Sequence, residues 1–384
     1  MKMSSEAKLL LSLFLPFYSI YCVKQIYFMY GNVLQAYGFP PQTIGFLLGS
    51  LYLAVMAMRP VGGWLLERFG VRTALLAGSV VCFAGCMMLY FARSAPLILA
   101  GRLLVGASIS VYSMGVFAYQ SLVVPERIRG AAFSLVVTGG MLPMATTTPV
   151  GEWLLLRGRV DAYLAIGPAF CLLCFFLGRR VVVAEGETNV RKEAWGSYRE
   201  LLESRRFLLL VVSGFFISLA DAAVVSMSVF AAERGVTVSY FMAASAVAAV
   251  IARVPCARIL NALPRAKVLI PLGLTLPIAL ALVALFPSNA TFLIGGLLSG
   301  AGIGFAWPIL LALVSDILPA RLRPKGTATT ILFYDSCWFL TPMIVGYASR
   351  FFGMAGALVI LAAISFVALS AIYFRLWIPT YREG

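Results

Sequence analysis

Histidine is missing from this 384-residue sequence, and charge is scarce, with Asp, Glu, Lys and Arg together making up 12% of the chain. The first absence removes the side chain that titrates nearest neutral pH and most often ligates metals, so proton chemistry falls to carboxylates. The second excludes a soluble globule, whose charged fraction is about twice as high. The seven cysteines lie in apolar segments, and none forms the paired loop spacing of a metal site. Cys171-x-x-Cys174 lacks the βαβ context of a redox motif, so the cysteines read as small buried hydrophobes. There is no GxxxxGK[ST] phosphate loop, which excludes a primary ATP-driven pump. The sequence predicts no cofactor, no metal and no catalytic set.

Hydrophobic residues make up 61% of the chain, and the mean hydropathy is +0.95. Apolar runs of about 20 residues, each able to cross about 30 Å of hydrocarbon as a helix, recur from end to end. They fall at 9–30, 43–64, 73–92, 96–120, 131–156 and 161–178, then at 206–231, 239–260, 267–287, 290–315, 327–349 and 355–378. The expected fold is an all-α membrane protein of twelve transmembrane helices. The hydrophilic stretch 179–205 separates a six-helix bundle, 1–178, from a second, 206–384, and reads as a solvated linker. Lys and Arg number 30 against 15 acids. Of these bases, 21 fall on the side of the termini, 5 on the opposite side and 4 within spans, so the excess reads as topology rather than nucleic-acid binding, with both termini cytoplasmic.

Two passages recur in matching places. Arg59 to Leu75 (RPVGGWLLERFGVRTAL) aligns with Arg253 to Leu269 (RVPCARILNALPRAKVL), and PERIRG from Pro125 aligns with PARLRPKG from Pro319. Twelve spans, a central loop and paired loop motifs resemble the major facilitator superfamily of transporters. Gly63, Glu67, Arg68, Gly70 and Arg72 match the family's G-x-x-x-D-R-x-G-R-R loop, with Glu in place of Asp and Val71 in place of one base. Arg102 and Gly106 are similar to the R-x-x-x-G of its fourth helix. The resemblance implies two bundles built from inverted three-helix repeats, a site near the midplane between them, and alternating access. It places the chain in the cell membrane, as a bacterial inner-membrane protein working among lipids as a monomer. Gly62 and Gly63 would allow close helix approach, and Glu67 with Arg68, Arg72 and Arg102 would form a gating set.

Ionisable groups at membrane depth are functional candidates. On span 1, Phe14, Phe17, Tyr18, Tyr21, Lys24, Gln25, Phe28 and Asn32 share an arc of about 120°. Tyr18, Tyr21, Lys24, Gln25 and Phe28 are therefore expected to contact substrate. Asp221 in span 7 is expected either to pair with Lys24 or to share its site. Trp307 and Trp338 are candidate aromatic walls. Asp335, Asp221 and Glu152 are the carboxylates available for proton coupling, with Glu152 near the outer end of span 5. A loose echo of an exporter motif (Gly139, Gly140, Pro143, Pro149, Gly151) points to proton-coupled export of a small organic solute. Proton-coupled uptake of an anionic metabolite, a non-transporting receptor and a lipid flippase are the alternatives.

Overall fold

The computed structural model describes residues 5–124, 129–181, 198–262 and 265–379, and they are helical almost throughout. The loop 125–128 and most of the expected linker, 182–197, lie outside the described residues. The chain divides into two compact units, Met1–Asn189 and Val190–Gly384.

In the first unit, α1 (Ser5–Ile26) passes through a 3-10 turn at Tyr27–Met29 into α2 (Tyr30–Ala36). Then follow α3 (Pro41–Phe69), α4 (Val71–Phe91), α5 (Ala95–Val123), α6 (Arg129–Leu156) and α7 (Val160–Arg179). The second unit opens with the short α8 (Tyr198–Glu203). Next come α9 (Arg205–Asp221) and α10 (Val224–Glu233), which form one broken span, and α11 (Val238–Ala262). A second broken pair follows, α12 (Arg265–Gly273) and α13 (Thr275–Leu285), before α14 (Asn289–Ile317) and α15 (Arg323–Ile372). The last of these is interrupted at Gly353 (φ 68°, ψ 168°), inside the expected gap between the final two spans. Among the described residues, nine helices are long and apolar enough to cross a membrane, and Val238–Arg253 is a shorter apolar helix.

The internal repeat is built into the packing with a constant offset. Arg59 and Arg253 differ by 194, and adding 194 carries one unit's close contacts onto the other's. A Cβ on Gly106 would run into the carbonyl of Leu51, and one on Gly300 would run into that of Ser245. Gly101 packs on Leu89 and Gly85, as Gly295 packs on Val283 and Ala279. Ser110 donates to the Val55 carbonyl, and Gly304 lies against that of Ala249. Small residues let membrane helices meet backbone to backbone, and the chain does this twice, α3 against α5 and α11 against α14.

The linker expectation needs refinement at its C-terminal end. Glu200 on α8 accepts an ion pair from Arg321 at 2.7 Å, which ties α8 to the turn after α14. Asp316, near the end of α14, accepts two bonds from Arg265 at 2.9 Å.

Candidate solute site

The break at Ala222–Ala223 lies 194 residues after Phe28 and Met29 of the break at Tyr27–Met29, so spans 1 and 7 stop being α-helical at the same register. At both, the backbone stays close to the right-handed helical region and tightens to i→i+3 bonds, Tyr30 N–H to the Tyr27 carbonyl and Val225 N–H to that of Ala222, and a mid-helix 3-10 stretch often marks a functional hinge. Each break carries an ionisable side chain close by.

In the first unit the ammonium of Lys24 lies 5.2 Å from the ring centre of Tyr21 and 5.3 Å from that of Tyr52 on α3. Contacts of this kind contribute roughly 0.5–2 kcal/mol each to holding a cation at membrane depth. Phe28 meets Tyr52 edge-on at 6.5 Å, and Phe17 stacks on Tyr21 at 4.5 Å. Gln25 and Phe28 are buried. Tyr18 bonds Thr146 of α6 at 2.9 Å and lies edge-on to Phe170. The structure thus brings together Tyr21, Lys24 and Phe28, and adds Tyr52, which the sequence reading missed. Nothing local in span 2 signals Tyr52; only folding brings it to Lys24.

The glycines of α6 have a packing role. A Cβ on Gly139 would press on Phe14, one on Gly140 on Phe17 and Tyr21, and one on Gly151 on Ile26 and Tyr163. They form the floor on which the aromatic stripe of α1 lies. Glu152, near the outer end of span 5, is 7% exposed, because this face of α6 packs inward.

In the second unit, the Tyr334 hydroxyl donates to Asp221 Oδ2 at 2.7 Å, and Ser218 Oγ donates to the Tyr334 carbonyl at 2.6 Å. Trp307 packs edge-on against Tyr334 with 4.5 Å between ring centres. Trp338 is half-buried against the same apolar cluster. Asp335 follows Tyr334 directly and is half-buried. Position 334 minus 194 is Gly140, so where the first unit leaves space for the Phe17 and Tyr21 rings, the second inserts a tyrosine that engages the carboxylate. Lys24 and Asp221 belong to different units.

Of the expected gating residues, Gly70 makes the turn between α3 and α4 with φ 77° and ψ 160°. Arg68 is exposed and lies over the rings of Trp64 and Phe69 at 5.4 and 5.7 Å, and Arg72 is exposed. The side chain of Glu67 lies outside the described residues. Gly63 corrects the expectation: a Cβ there meets nothing within 4 Å, whereas at Gly62 it would lie 3.0 Å from Met114. The helical phase turns Gly62, not its neighbour, toward α5. Arg102 is 1% exposed, donates to the Leu48 carbonyl at 2.7 Å and lies 5.9 Å from the Tyr30 ring centre. It ties α5 to α3 inside the first unit.

The chain belongs to the Major Facilitator Superfamily, whose sequence profile it matches over residues 9–276 and 211–383. It is a multi-pass membrane protein of that fold, and its described residues are helical almost throughout. A stretch of 93 residues, 24% of this chain, is 42% identical to mouse solute carrier family 2, facilitated glucose transporter member 10, covering 17% of that protein. Another of 121 residues, 29% of this chain, is 36% identical to probable inositol transporter 3 of Arabidopsis thaliana, covering 20% of it. The matched stretches thus span about a fifth of the length of these relatives. The crystal structure of a point mutant of the nucleoside transporter NupG superposes with a TM-score of 0.82 at 12% identity, covering 96% of this chain and 100% of that one.

Proposed function

We propose that the protein is a secondary transporter that takes up a small polyhydroxylated solute, sugar-like or cyclitol-like, together with a proton carried on Asp221. The observation that carries this reading is the pair of helix breaks at one register, with Lys24 three residues before the first and Asp221 immediately before the second. In the first unit, aromatic faces such as Tyr21 and Tyr52 stack on the C–H face of a polyol, while Gln25 and Lys24 bond its hydroxyls. The names of the matched relatives favour the same solute class.

Uptake is preferred to export because the α6 glycines, on which export rested, are accounted for by the aromatic rings they admit. Twelve spans, a monomeric working unit and cytoplasmic termini in a cell membrane complete the proposal, the last resting on the distribution of bases. Glu67, Arg68 and Arg72 act in it as a latch that engages in one state and releases in another. Asp335 and Glu152 are reserve carboxylates for the proton. Uptake of radiolabelled glucose and myo-inositol into proteoliposomes tests the reading. Binding without transport would favour a receptor, and movement of a labelled lipid between leaflets a flippase.

A further inference from the structure

In the core of the first unit, Cys82 and Cys86, one turn apart on α4, meet Cys171 of α7. The three Sγ atoms lie within 4.8 Å of one another, and Cys86 to Cys171 is 3.6 Å. All three residues are fully buried. The fold does not require thiols there. Adding 194 leads to Leu276, Leu280 and Ser365, all buried, so the second unit fills the equivalent space with two leucines and a serine.

Tyr27, at the break of span 1, is buried beside this cluster, and its hydroxyl has no hydrogen-bond partner. Its ring stands edge-on to Tyr30 at 5.8 Å, and Tyr30 in turn lies under the guanidinium of Arg102. Two of the three guanidinium nitrogens of Arg102 also have no hydrogen-bond partner. The core therefore holds three soft ligands, an unused O–H donor and a positive charge.

We propose that Cys82, Cys86 and Cys171 form a binding site for a soft, closed-shell cation of the Cu(I) class. Thiolates select such ions over hard ones, and three sulfurs suit a trigonal ion. Each thiol that becomes a thiolate ligand releases one proton. The Tyr27 hydroxyl, beside Cys86, is placed to donate to a thiolate. Bound metal staples α4 to α7 beside the break in span 1. The site is independent of the proposed solute transport.

The test uses the purified, reduced full-length protein under anaerobic conditions, competing for Cu(I) with a chromophoric chelator. Wild type withdraws one equivalent, and so does a variant with Cys22, Cys174, Cys256 and Cys337 replaced by serine. The double variant Cys86→Leu/Cys171→Ser, which keeps one of the three sulfurs, fails to withdraw Cu(I) at chelator concentrations at which wild type does. Retention of Cu(I) by that variant, or no uptake by wild type, overturns the proposal. X-ray absorption at the copper edge of loaded wild type gives a readout that needs no variant. A shell of sulfur alone supports the site, and a nitrogen or oxygen shell overturns it.

Discussion

Tyr334 donates its hydroxyl hydrogen to Asp221 across the second unit at 2.7 Å, and its carbonyl accepts from Ser218, one helical turn before that carboxylate. α15 and α9 are thereby joined at the point where α9 ends. A hydrogen bond to a charged group contributes about 1.5–3 kcal/mol. Tyr334→Phe should therefore lower the kcat/KM of transport by roughly ten- to a hundredfold while leaving insertion intact. Initial-rate uptake in proteoliposomes checks this, and Asp221→Asn should show no further loss from Tyr334→Phe, since the two act as one unit.

The repeated close approaches predict a matched pair of stability losses. Gly106→Ala and Gly300→Ala each place a Cβ against a backbone carbonyl, of Leu51 and Ser245, that has no rotamer with which to yield. Each should cost about 1–3 kcal/mol. Gly63→Ala, which meets nothing, should leave the thermal midpoint in detergent unchanged.

Gly70 predicts a backbone effect separable from any loss of charge. Its φ of 77° with ψ of 160° is open in practice to glycine alone. Gly70→Ala should destabilise by about 1–3 kcal/mol. Gly70→Asn should not rescue it, because asparagine tolerates the left-handed helical region and not this one. Thermal unfolding of the two variants measures the difference.

The Arg265–Asp316 pair has near-ideal distances, yet its side chains are 29% and 45% exposed. Solvent screening limits such a pair to about 1 kcal/mol or less. Asp316→Asn should lower the thermal midpoint slightly at low salt and not at all at high salt, read in one series of melts.

Much of this architecture is legible in the sequence, because a lipid-spanning helix must be apolar for about 20 residues and because the two loop motifs already show the 194-residue offset. The helix breaks were not legible. Tyr27–Met29 and Ala222–Ala223 contain neither Gly nor Pro, so no local signal stops the helix there, and tertiary packing decides. Lys24 and Asp221 could be singled out because charge at membrane depth is rare. Tyr52 could not, being one aromatic among many. The burial of Glu152 was not legible either, because near the end of α6 helix phase rather than depth sets it. Cys86 and Cys171 are 85 residues apart and share no local spacing. Their meeting is a property of the fold.

The most direct test of the account is accumulation of radiolabelled glucose or myo-inositol in proteoliposomes under an inward proton gradient. Wild type should concentrate at least one of them, and Lys24→Ala should bind it more weakly. Asp221→Asn should lose accumulation while still exchanging solute across the membrane at equal pH. Gradient-driven accumulation by Asp221→Asn at the wild-type level would contradict the assignment of Asp221 as the proton carrier.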